Sequence, residues 1–383
     1  MSDKKYIFPE EIELSEIVLN KTGHAFEMIE QEGIDYMKKT DNKSRKFFGR
    51  RAAAIAGVYV LAASSISVAA AIHYRWGRGM NGNLMASDTQ QQELIRGGVA
   101  KVYHDEHDYS SMAVTDNGIT VVPDTVVSDD RFVYLSFKIS GFRVPDGEEP
   151  FIDVVEVSQK DVPKVNGSNL NMYGGIMYDG IIDGEDGNPA CYEDGSPLES
   201  TKDGAMVKHY VDSNGDMEYI IQAGTLGMGN DSLLGKTIHV DLKNMGTVER
   251  TDFTLLKKGN WSFDISLTDV DLSKDIKVGQ KVEGTGFVME DINISPVSME
   301  VNYSVIEAPE VKDGDLGIPE VTGVVMKDGT RIPYLTDGGR MGYNGSKAKY
   351  VAGYYRVVDV DQIAALIVRT SEKNDKVEIP ISQ

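Results

Sequence analysis

From Ala52 to Ile72 the chain runs 21 residues without a charged side chain. As a helix rising about 1.5 Å per residue, this stretch spans about 32 Å, close to the hydrocarbon thickness of a bilayer. It lacks the polar face that a buried helix of a soluble protein normally keeps. A secretory leader has a shorter apolar core and only a few residues ahead of it, whereas 51 residues precede this one. Ala69-Ala70-Ala71 matches a small-residue cleavage site, so a cleaved leader stays open as the alternative. The preferred reading is an uncleaved single-pass helix over residues 52–74.

Flanking charge orients that helix. Lys43, Arg45, Lys46, Arg50 and Arg51 precede it, and only Arg75 and Arg78 follow closely. The more cationic side stays in the cytoplasm, which puts the N-terminus inside and residues from about 77 onward outside the cell membrane. Phe47, Phe48, Tyr74 and Trp76 stand where interfacial aromatics belong, and Arg50, Arg51, Tyr74, Arg75 and Trp76 are expected to meet the lipid bilayer at its two surfaces.

Residues 1–51 are neutral, with ten basic and ten acidic side chains. Pro9-Glu10-Glu11 reads as a helix start, followed by Leu14, Ile17 and Val18 at helical spacing. After Gly23 a second segment places Phe26, Ile29, Ile34 and Met37 near one face. Two such helices bury too little surface to stand alone. Their stripes are read as a partner-binding surface, against the alternative of a loose, solvated segment.

The remaining residues carry the whole net charge of −21. That field argues against direct nucleic-acid binding. A single cysteine, Cys191, excludes any disulfide within the chain and any Cys-rich zinc site. Beyond a polar linker expected over 75–97, period-two patterns dominate: GITVV (118–122), RFVYLSFKI (131–139), AMVKHYV (205–211), MEYIIQ (217–222), NWSFDISL (260–267) and VSMEVNYSV (297–305). Asp116-Asn117-Gly118, Ser213-Asn214-Gly215 and Lys327-Asp328-Gly329 supply turn chemistry. Only Asp359 to Ala365 reads as a helical turn. The expected fold is mainly β: two extracellular β-sandwich-like modules, 98–268 and 269–383, with one transmembrane α-helix and a short helical cytoplasmic segment.

No reactive constellation emerges. His104-Asp105-Glu106-His107-Asp108 has metal-ligand residue types but no converging partner, and reads as a solvated turn. Asp212-Ser213-Asn214-Gly215-Asp216 begins like a calcium loop, but Met217 stands where that loop needs glycine and Ala223 where it needs glutamate. Asp179, Asp183, Glu185 and Asp186 read as a flexible acidic loop rather than a calcium site. Serine-nucleophile, P-loop and dinucleotide motifs have no convincing match. No catalytic residue, metal or cofactor is therefore expected, and the chain is not read as an enzyme.

The order of short segment, apolar helix and acidic β region, with DNGITVVPDTVVSDDRFVYLSFKI and GNWSFDISL in the first module and EDINISPVSMEVNYSV and MKDGTRIPYL in the second, resembles a known group. These are membrane-anchored anti-sigma factors of Gram-positive-type bacteria with an uncharacterised (DUF-type) β-rich ectodomain. The resemblance covers most of residues 45–383. It implies that the cytoplasmic segment holds an extracytoplasmic-function sigma factor, released by an outside signal or by an intramembrane or site protease. Leu14, Ile17, Val18, Phe26, Ile29 and Met37 would then anchor the sigma factor. Many anti-sigma proteins use a cytoplasmic His/Cys zinc site; residues 1–51 hold His24 and no cysteine, which excludes that version. The alternative function is a surface adhesion or wall-binding protein.

Nine of the 21 uncharged residues are alanine, and Ser64, Ser65 and Ser67 lie near the middle. Such a weakly apolar helix suits cleavage within the membrane. Replacing the three serines with leucine is expected to slow release of the cytoplasmic segment, read by immunoblot of membrane and soluble fractions. Unchanged release would remove this role.

Overall fold

The computed structural model describes residues 76–381, except 105–108, 146, 165–168, 183–188, 203, 226–230, 308–315, 337–338 and 371–375. Two short helices come first, α1 (Arg78–Asn83) and α2 (Asp88–Arg96). The strands of the first half are β1 (Ala100–Val102), β2 (Val114–Asp116), β3 (Ile119–Ser128), β4 (Phe132–Ser140), β5 (Glu149–Gln159), β6 (Asn171–Met177), β7 (Ile181–Ile182), β8 (Cys191–Tyr192), β9 (Met217–Gly224), β10 (Thr237–Glu249) and β11 (Asp252–Ser266). One sheet has the order β1-β3-β4-β9-β6, with β2 also on β3; a second has the order β11-β10-β5. Both are antiparallel. Val133, Leu135, Phe137 and Ile139 of β4 meet Ile238, Val240 and Leu242 of β10 and Trp261 of β11 in one core between the two sheets.

The second half follows from β12 (Lys274–Lys281) through β13 (Phe287–Ile294), β14 (Ser298–Val305), β15 (Glu320–Met326), β16 (Arg331–Ile332), β17 (Arg340–Asn344), β18 (Lys347–Gly353) and β19 (Ile363–Arg369) to β20 (Lys376–Pro380). Its sheets run β12-β13-β14-β18-β17 and β16-β15-β19-β20. The described chain is thus mainly β, as the alternating patterns predict. Asn117 (φ 49°) and Gly118 (φ 78°) form the two-residue left-handed turn that joins β2 to β3.

Three expectations need correction. Residues 76–97 are not a polar linker but carry both helices. Residues 205–211 form no strand beyond an isolated Ser200–Met206 bridge, and Met206 and Val211 stay exposed, so alternation there has no sheet face to bury. The helical turn is confined to Val360–Gln362, and β19 begins at Ile363. Among the described residues no helix is long and apolar enough to cross a membrane. The stretch read as a span, 52–74, and the segment 1–51 lie outside the described residues.

The second core does not stop at its own strands. It includes Val127 of β3, Phe132 and Tyr134 of β4, and Trp76, Met80 and Leu84 from the N-terminal segment. At this joint the Asp129 carboxylate is buried. It accepts from Ser298 Oγ (2.5 Å), from Ser295 Oγ, and from the amides of Arg131 (2.8 Å) and Phe132 (2.7 Å). Burial pushes its acidity toward higher pH, and these donors pull it back. Tyr134 Oη donates to the Tyr354 carbonyl (2.8 Å) and accepts from the Tyr354 amide (2.7 Å). Arg131 stands between Asp130 (3.2 Å) and Glu300 (3.3 Å), and Lys349 also reaches Glu300 (2.8 Å). Removing Asp129 strands buried donors on both sides of the joint. Asp129→Ala is expected to cost roughly 3–5 kcal/mol, measured by urea unfolding of the full chain; a loss under about 1 kcal/mol would show that the joint does not depend on it.

Candidate functional site

The residues that follow the apolar run form a strap seated in the protein. α1 has the sequence RGMNGN, and its two glycines make it a poor helix by propensity. Its order comes from packing. Trp76, Met80 and Leu84, spaced by four, are wholly buried on one side. α2 is better specified locally. Ser87 and Gln90 form a capping box, Asp88 sits in the first turn, and Arg96 in the last.

Polar groups fix the strap's position. The Trp76 amide donates to Gln91 Oε1 (3.3 Å), and the Trp76 indole to Asn81 Oδ1 (3.4 Å). Gln91, itself wholly buried, donates to the same Asn81 oxygen (3.0 Å) and to the Ala86 carbonyl (3.0 Å). Met85 exchanges backbone bonds with the second half, to the Tyr355 carbonyl (2.7 Å) and from the Val357 amide (2.8 Å). Arg78 donates to the His209 carbonyl, pairs with Glu193 (3.2 Å) and lies over the Tyr178 ring.

The central pin is Glu218 of β9, only 8% exposed. Its oxygens accept from the amides of Gly79 (2.9 Å) and Met80 (3.0 Å). Asp124 of β3, 5% exposed, lies beside it. Gly77 is required here, because a Cβ would come within 2.4 Å of Glu218 Oε1 and 2.6 Å of Asp124 Oδ2. Burial pushes the Glu218 carboxyl up to about 7; Asp124 adds to the shift, while the two amides and Arg78 oppose it. His104 Nδ1 lies 2.9 Å from Asp124 Oδ1. Burial, followed by Asp124, Asp216 and Glu218, raises the Tyr109 hydroxyl, which has no hydrogen-bond partner among the described residues.

This corrects the reading of Trp76 as an interfacial aromatic: the strap draws its ring into the protein core. Arg50, Arg51, Tyr74 and Arg75, like Leu14, Ile17, Val18, Phe26, Ile29 and Met37, lie outside the described residues. So do 105–108 and Asp183, Glu185 and Asp186 of the acidic stretches. Asp212 closes a turn, accepting from the amides of Asn214 (2.8 Å) and Asp216 (2.9 Å). Cys191 is a free, partly buried thiol. Among the described residues no three His, Cys, Asp or Glu side chains are placed to hold a metal ion. The strap was missed in the sequence because its polar residues look like a linker, although the 76-80-84 spacing and Ser87-x-x-Gln90 were both legible.

No protein-family model matches the chain, and no curated protein matches it. A crystal structure of a "conserved domain protein" from Bacillus anthracis is 17% identical and overlaps 68% of this chain and 78% of its own, with a TM-score of 0.41. The CupB6 tip adhesin from Pseudomonas aeruginosa is 12% identical and overlaps 74% of this chain and 92% of its own, with a TM-score of 0.13. At these scores neither likeness carries a fold or a function to this chain.

Met80→Ala would leave a hole under the strap worth about 2–5 kcal/mol. Trypsin cleavage after Arg78, a side chain 13% exposed, is expected to accelerate in the variant. Unchanged cleavage would mean that the strap is not held by this burial.

Proposed function

We propose that the chain is a single-pass membrane anti-sigma factor with a cytoplasmic N-terminus and a β-rich region outside. Residues 1–51 sequester an extracytoplasmic-function sigma factor through Leu14, Ile17, Val18, Phe26, Ile29 and Met37. The outer region senses an envelope signal or gates a protease. It acts without chemistry of its own and without contacting nucleic acid.

One observation carries the reading. The strap that directly follows the apolar run is built into the protein, with Trp76, Met80 and Leu84 all at 0% exposure. A merely tethered ectodomain needs no such seat. A protein that reports an outside event across a membrane does, because loosening its fold then alters the segment next to the membrane. Proteolysis of a chain needs locally unfolded backbone, so a seated strap resists cleavage and a freed one admits it.

The test is to recover the full chain from membranes, with and without residues 1–51, and identify bound sigma factors while transcription is followed. The full chain is expected to retain a sigma factor, and removal of 1–51 to abolish retention and raise sigma-dependent transcription. No sigma factor on the full chain, together with unchanged transcription, sinks the proposal.

A further inference from the structure

The pin holding the strap is an acid that no counter-ion among the described residues touches directly. Lys138 is the cross-strand partner of Glu218, yet its ammonium turns to Asp216 (3.3 Å) and Asp212 (3.7 Å). Arg78 acts on Glu218 only through space, its guanidinium being engaged with Glu193 and the His209 carbonyl. From β3, Asp124 is aimed at the same spot because it sits at an irregularity, between Pro123 and Thr125, in the pairing of β3 with β4. It is held there by Thr125 Oγ1 (3.2 Å) and His104. Tyr109 and Asp216 lie close enough to feel the same charges. Two carboxyl groups therefore share a buried site beside Gly77, and among the described residues only the amides of α1 are bonded directly to the Glu218 carboxyl.

We propose that Glu218 and Asp124 form a proton-gated clasp, which grips the strap while the pair holds a proton and loosens it when both are charged. Two carboxylates in one desolvated site repel each other, and backbone amides bring only partial charge to offset them. In the gripped state Glu218 stays neutral against α1. When that proton leaves, solvation of Glu218 requires α1 to move off β9. The sign follows from the folded-state value of about 7 against an ordinary 4.5. The folded form binds the extra proton, so the grip is complete below the ordinary value and is lost as pH rises through about 7. The clasp regulates the strap on which the anti-sigma reading rests, but its action is observable without a sigma factor.

Hydrogen exchange of the Gly79 and Met80 amides in the full chain, corrected for intrinsic rates, tests this at about pH 5.5 and about pH 8.5. Protection is expected to fall by on the order of tenfold over that interval. The Tyr354 amide, bonded to Tyr134 at the joint, serves as the reference for global loosening. In Glu218→Gln, which removes the titrating group, strap protection should no longer vary with pH, whatever its level. Asp124→Asn removes the second charge, so its loss of protection should be smaller than in the unaltered chain. It decides the matter if Glu218→Gln does not fold. Strap protection that is independent of pH in the unaltered chain, or an equal fall in the variants, overturns the clasp. A pH-dependent strap on a chain that retains no sigma factor would keep the clasp and reject only the anti-sigma reading.

Discussion

The sheet containing β3 and β4 is covered on both faces, and the rest of the architecture depends on that. Every residue of β4 from Phe132 to Phe137 is buried. Successive side chains of a strand point to opposite faces, so a strand like this cannot face solvent on either side. Val133, Leu135 and Phe137 fill the first core, while Phe132 and Tyr134 enter the second. One strand thus belongs to two cores, and the two halves are joined by shared apolar burial rather than by surface contact. Asp129 and Tyr134 add direction to a joint that apolar packing alone would leave free to slide, because their hydrogen bonds are met in one alignment only.

The strap uses the same covered face. It brings polar groups into an apolar setting, where each must find a partner or cost stability. Asn81 and Gln91 meet that demand by bonding to each other and to Trp76. Such a network tolerates little displacement, since moving the strap by one residue would break every bond at once. Glu218 differs from it. Its bonds to the α1 amides are good, but burial and the neighbouring Asp124 disfavour its charge. The seat is therefore firm in its packing and conditional in its electrostatics.

Much of the β framework was legible because alternation and turn chemistry agree. RFVYLSFKI lies almost wholly in β4, and Asp116-Asn117-Gly118 makes the turn its residues demand. What alternation does not report is what covers the second face. MEYIIQ places Glu218 on the apparent solvent side of its strand, and nothing local shows that α1 closes over it. The same gap explains AMVKHYV, whose pattern is sound but for which no neighbouring strand is available. The strap failed to read as structure because α1 is short and glycine-rich, and its stability comes from residues more than a hundred positions away.

That dependence sets the energetics of release. A six-residue helix with two internal glycines has no stability of its own, since a nucleus of that length is unfavourable even in good helix formers. Its free energy of opening is therefore the free energy of its contacts: the burial of Trp76, Met80 and Leu84, the Asn81–Gln91 network and the Glu218 pin. Opening the strap leaves the first core between the two sheets untouched, because none of those three apolar residues belongs to it. The strap is thus a local unit that can open at less than the cost of unfolding the protein. The division of the two cores thus confines the apolar loss on opening to the second of them.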